Sequence, residues 1–83
     1  MKEDYLKGLV NCFIEYYNGS GFYGIRRFAE ELKKQNQDSL HIAMLDVIVN
    51  SFEKHGYTGS SSEKLRDSEE VKKRVLEALI EGS

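Results

Sequence analysis

Apolar side chains recur at steps of three and four along nearly all of this chain, and proline is absent. That rhythm draws apolar stripes along helices and excludes the strict alternation of half-buried strands. In "DYLKGLVNCFIEYYN" the stripe is Tyr5, Leu6, Leu9, Val10, Phe13, Tyr16 and Tyr17, and Asn18-Gly19 supplies the stop. In "FYGIRRFAEELKKQN" it is Phe22, Ile25, Phe28, Ala29 and Leu32, with Lys33 and Lys34 suited to the negative end of the helix dipole.

"SLHIAMLDVIVNSFEKHG" is apolar over more than half its circumference, through Leu40, Ile42, Ala43, Met44, Leu45, Val47, Ile48, Val49 and Phe52. A helix of that kind is expected to be enclosed by the others. Ser39 is placed to cap its start and Gly56 its end. "YTGSSSEKLRD" is Gly- and Ser-rich without periodicity and reads as a loop. In "DSEEVKKRVLEALIEG", Asp67 and Glu70 have capping-box spacing and Val71, Val75, Leu76, Leu79 and Ile80 form the inner stripe. Glu69–Lys73, Glu70–Arg74 and Lys73–Glu77 are spaced for four-residue ion pairs on the outer side.

The fold class predicted is all-α, a compact four-helix bundle with the third helix central. It forms one domain over 1–83, with helices at about 3–18, 22–36, 39–55 and 68–81 and a loop at 56–67. The chain has 83 residues, and Leu, Ile, Val and Phe together number 22. Ordering every residue opposes folding, so nearly all of these side chains are expected in the core. Little is left to wall an internal cofactor cavity, and no cofactor is expected.

Charge narrows the function. Twelve basic residues stand against 14 acidic ones, a net of −2, which disfavours a domain held to nucleic-acid phosphates. No apolar run is long enough to span a membrane, and "MKEDYLKGLV" lacks the apolar stretch of a signal peptide. One cysteine builds no disulfide framework, so a reducing, cytoplasmic setting is expected. Cys12, between Val10 and Phe13, reads as a buried structural thiol rather than a nucleophile.

The glycines of "YNGSGFYGIRR" spell G-x-G-x-x-G at Gly19, Gly21 and Gly24. As a dinucleotide cradle this motif must follow a strand and open a helix, whereas here it follows an amphipathic helix. The expectation is a helix-to-helix turn: Gly19 ends one helix in a left-handed conformation, Gly21 frees the turn and Gly24 lets the next helix pack closely. Arg26 and Arg27 could touch phosphates, but Glu30 and Glu31 offset them along a solvated face.

A helix-turn-helix reading would make "SLHIAML" a recognition helix, yet it offers apolar side chains where base edges need polar ones. His41 and His55 lie fourteen residues apart with no further ligands at metal spacing, so no metal is expected. No catalytic triad or acid pair is recognisable, and the chain reads as a non-enzyme.

What remains is surface. Asp46, Asn50 and Glu53 form one narrow polar stripe on the third helix, followed by Glu63, Asp67 and Glu69 in and beyond the loop. Such a stripe is either the solvated edge of a central helix or an acidic face for a cationic partner. Tyr17, Tyr23 and Tyr57 sit at or beside turns, where they serve as interface anchors or as caps on the bundle ends.

The order of features, from "YLKGLVNCFIEYYNGSGFYGIRRFAEEL" to "LDVIVNSFEKHGYTGSSSEKLRDSEEVKKRVLEAL", resembles small all-helical immunity proteins. These are the proteins of the colicin D type and their relatives in contact-dependent inhibition systems. The resemblance implies a four-helix antidote that binds a cationic ribonuclease toxin domain and does no catalysis itself. Asp46, Glu53, Glu63 and Asp67 would stand where substrate phosphates normally lie, with Asn50 and Tyr57 beside them. Tyr23, Arg26 and Arg27 form a secondary candidate surface. The expected partner is a protein, a cognate toxin or host enzyme, met by a monomer or weak homodimer. Two alternatives stay open: a phage or plasmid adaptor that binds a nucleotide signal or host regulator through Arg26 and Arg27, and, ranked last, a DNA-binding regulator.

Overall fold

Thirty-four residues of continuous helix would run about 51 Å if straight, yet the longest dimension of the molecule is 33 Å. The first helix must therefore fold, and the break is at Gly21, with φ 69° and ψ −160°. The computed structural model describes residues 2–58 and 68–82. Among them are α1 (Lys2–Gln35), α2 (Ser39–Lys54) and α3 (Ser68–Gly82), and no strand. The all-α class is as predicted.

The expected four helices appear as three, because a single residue replaces the turn expected between the first two. On a straight helix Tyr16 and Phe28 would lie about 18 Å apart along the axis. Instead their rings stack at 4.2 Å, and Phe28 also meets Phe13 at 4.9 Å. The two arms of α1 lie against each other. The left-handed residue is Gly21, not Gly19 as expected. Its φ/ψ combination is one that essentially only glycine adopts. Gly24 packs as predicted: a Cβ there would stand 2.5 Å from the Ser20 Cβ.

The start of α2 also differs from expectation. Asp38, not Ser39, is the extended residue before the helix (φ −60°, ψ 131°), and its side chain makes no cap hydrogen bond. Its carbonyl accepts the first helical bond from Ile42 N–H at 3.0 Å. The far end matches the expectation more fully. Gly56 is left-handed at φ 81°. The Tyr57 N–H donates to Phe52 O at 2.8 Å and the Gly56 N–H to Glu53 O at 3.1 Å. This is a Schellman ending, completed by edge-on contact of the Phe52 and Tyr57 rings at 6.1 Å. The expected Asp67 cap lies outside the described residues.

Each helix packs against both others, and all three feed one core. The N-terminal arm of α1 gives Val10, Phe13, Ile14 and Tyr17, and the second arm gives Ile25 and Ala29. Leu45, Ile48 and Phe52 come from α2, and Val71, Val75 and Leu79 from α3. Tyr17 is thus a core residue, stacked at 6.0 Å on Phe52.

The prediction that the third segment is enclosed does not hold. Leu40 is 72% exposed, Ala43 is exposed, and Ile42, Met44, Val47 and Val49 are only partly buried. With one neighbour on each flank, α2 keeps an outer ridge in solvent.

Other departures follow from helical angle. Cys12 is exposed, not buried. At about 100° per residue it lies roughly 150° from the centre of the Val10–Phe13–Ile14–Tyr17 stripe. Tyr5 and Tyr16 fall off the same stripe and are 55% and 47% exposed, while Ile80, off the stripe of α3, is 56% exposed. On α3, Arg74 Nε pairs with Glu70 at 3.1 Å as expected. Glu69 instead meets Lys72 at 4.0 Å, and no Lys73–Glu77 pair forms among the described residues.

Candidate functional site

The polar stripe of α2 is exposed at all three positions, Asp46, Asn50 and Glu53. Their spacing of four and three places them on the outer ridge, opposite Leu45, Ile48 and Phe52. The three do not share one electrostatic character. Asp46 Oδ1 lies 2.6 Å from Lys33 Nζ, which joins α2 to the second arm of α1. Lys33 also approaches Glu30 at 3.8 Å. The hydrogen bond to Asp46 holds the Lys33 ammonium above its ordinary pKa; partial burial opposes this, and the charges of Asp46 and then Glu30 add to the rise. Asp46 is therefore matched within the chain. Glu53 has no cation within 4.0 Å among the described residues.

Tyr57 is half-buried, and its hydroxyl accepts from Arg74 Nη1 at 3.4 Å. The ring thereby ties the end of α2 to α3. Glu63 and Asp67 lie outside the described residues. Tyr23, Arg26 and Arg27 share the solvent side of the second arm of α1, all exposed. Arg27 stands over the Tyr23 ring at 5.8 Å, and its Nη1 reaches the Tyr23 hydroxyl at 3.5 Å. Neither arginine has a carboxylate within 4.0 Å among the described residues.

Between α2 and α3 runs an open groove of about 540 Å³. Asn50 brings the polar ridge to its edge, with Ser51, Lys54 and His55 also on the α2 side. The α3 side carries Arg74, Glu77 and Glu81. Ser51 is only 4% exposed and is a buried polar residue of the core, with no hydrogen-bond partner for its Oγ among the described residues. The groove is absent from the sequence-based expectations. Two signals for it stand in the chain: a serine inside the apolar arc between Ile48 and Phe52, and two glutamates four residues apart on α3.

No known protein family, curated protein or solved structure matches this chain. Function rests on the geometry of the chain itself. No group of three or more His, Cys, Asp or Glu among the described residues could hold a metal ion. No helix among them is long and apolar enough to cross a membrane. The glycine turn has no preceding strand, and Gly24 is occupied by close contact with Ser20. That leaves two polar surfaces: the ridge of α2 with its adjoining groove, and the Tyr23–Arg26–Arg27 patch.

Proposed function

We propose that this chain is a non-enzymatic immunity or antitoxin protein that binds and neutralises a cationic toxin domain through the α2 ridge and the α2–α3 groove. In this reading the two arms of α1, with α2 and α3, make the four-helix bundle of the immunity proteins that the sequence resembles. The observation that carries the proposal is the unmatched carboxylates of the α2 ridge and the adjoining groove. Among the described residues Asp4, Glu15, Asp38, Glu53, Glu77 and Glu81 have no intramolecular cation within 4.0 Å, and the last three of these stand on the α2 ridge and in the groove beside it. Unmatched exposed carboxylates speed encounter with a basic surface and disfavour acidic ones. The centre of the proposed face accordingly moves from Asp46 to Asn50 and Glu53.

The test is to look for a toxin domain in the reading frames beside this chain's and to titrate it against the chain by calorimetry. A 1:1 complex that silences the toxin is expected, and Glu53→Lys should weaken it by about tenfold or more. The melting temperature should stay nearly constant, because Glu53 is exposed and has no ion-pair partner among the described residues. No complex, or equal affinity for the variant, overturns the reading.

The exposed Arg26–Arg27 pair beside Tyr23 favours a second reading, an adaptor for a nucleotide signal. Saturable heat from mono-, di- or cyclic nucleotides, lost in Arg26→Ala/Arg27→Ala, would support that reading instead.

A further inference from the structure

Two independent features meet in the groove between α2 and α3. The first is Ser51 on the α2 side, whose hydroxyl is buried without a partner among the described residues. Buried polar groups are ordinarily hydrogen-bonded, so an orphan marks either a cost to the fold or a place kept for a ligand. The second is the pair Glu77 and Glu81, one helical turn apart on the α3 side and unmatched by any cation within 4.0 Å among the described residues. Like charges at that spacing repel, and an incoming cation relieves the repulsion.

The other charges on the groove sharpen the class of ligand. Arg74 is already committed, its Nε to Glu70 at 3.1 Å and its Nη1 to the Tyr57 hydroxyl at 3.4 Å. Lys54 is the remaining cation, and it offsets one of the two carboxylates. Two carboxylates against one free lysine leave the uncommitted charge of the groove negative.

Resting on the binding function proposed above, we propose that this groove receives a guanidinium, an arginine side chain presented by the protein partner. A planar guanidinium offers five N–H donors in a fork that carboxylates accept in pairs. Glu77 and Glu81 take one edge. Asn50 Oδ1 accepts from the other, and rotation of the Ser51 side chain, whose hydroxyl is closed to solvent in the unliganded chain, gives the orphan its partner. Val47 and Ala78 line the same groove and cover the aliphatic stem. A lysine ammonium, a point charge with three donors, matches fewer of these acceptors. Arginine is also a frequent anchor at protein interfaces.

The test uses the full chain and three probes: N-acetyl-arginine amide, N-acetyl-lysine amide and N-acetyl-aspartate amide. Each is titrated while the backbone amide resonances of Ser51 and Ala78 are followed. Arginine amide should shift both saturably with an affinity of about millimolar, as expected of a single side chain. Lysine amide should bind about fivefold more weakly, and aspartate amide should do nothing. Glu77→Gln/Glu81→Gln, on an exposed helix face, should weaken arginine amide about tenfold. Ser51→Ala should also weaken it while leaving the melting temperature equal or higher. No saturable shift from arginine amide, equal or tighter binding of the other probes, or an unchanged affinity in the double variant overturns the proposal. If arginine amide binds as expected but the toxin does not, the fault lies with the proposed function and not with the groove.

Discussion

Gly21 is the residue on which the shape of α1 turns. Its φ of 69° with ψ −160° is open to glycine and costs an L-residue about 1–3 kcal/mol. Gly21→Ala should therefore lower the melting temperature by roughly 4–8 °C for each kcal/mol lost in a domain of this size. Gly19, two residues earlier, is helical and exposed, and a Cβ added there would meet nothing within 4 Å. Gly19→Ala should stabilise by about 0.4–1 kcal/mol. Thermal melts of the two variants check the assignment, and the reverse order would return the turn to Gly19. The sequence displays three glycines in six residues, but it does not say which carries the reversal. A shift of the break by two residues moves both arms around their axes, and only their mutual packing selects one register.

At the scale of elements, helical angle explains both the agreements and the departures. The stripe of the second arm is legible in the sequence: Ile25 and Ala29 are buried, with Phe22, Phe28 and Leu32 packed against them. The immediate neighbours of Cys12 predict burial, although its angle on the helix already points outward. The same reliance on neighbours leaves Ile14 out of the expected stripe, and it is 6% exposed. Gly56 alone predicts the end of α2, and the structure adds the ring contact that completes it. Gly56→Ala should cost about 1–2 kcal/mol through its left-handed backbone, since no atom lies within 4 Å to clash. Gly56→Asn should cost less, because asparagine tolerates that conformation. Chemical denaturation of the two variants distinguishes backbone strain from loss of packing.

Across the whole molecule, the Lys33–Asp46 bridge is a charged link between α1 and α2. Asp46 is about half exposed, so solvent screening holds its contribution to about 1 kcal/mol or less. The direction of its pH dependence is fixed. Lys33 has a raised pKa in the fold, so the stabilisation is complete below the ordinary lysine value of 10.5. It is lost as pH rises through the raised one. Stability measured against pH in the alkaline range should show this loss in the native chain and not in Lys33→Met. A matching loss in the variant would assign the effect elsewhere.

Periodicity along the chain determined that this protein is helical and which residues form most of its core, and Gly56 marked where α2 ends, because those are properties of one helix and its own residues. The candidate site was only half visible by the same means. Asp46, Asn50 and Glu53 could be placed on one ridge from their spacing, but the capture of Asp46 by Lys33, thirteen residues away, could not. The groove that joins Asn50 and Ser51 to Glu77 and Glu81 exists because α2 and α3 lie side by side. Which charges are matched and which stay open depends on distances between helices, and those distances are set by the reversal at Gly21 and the packing of three elements on one core.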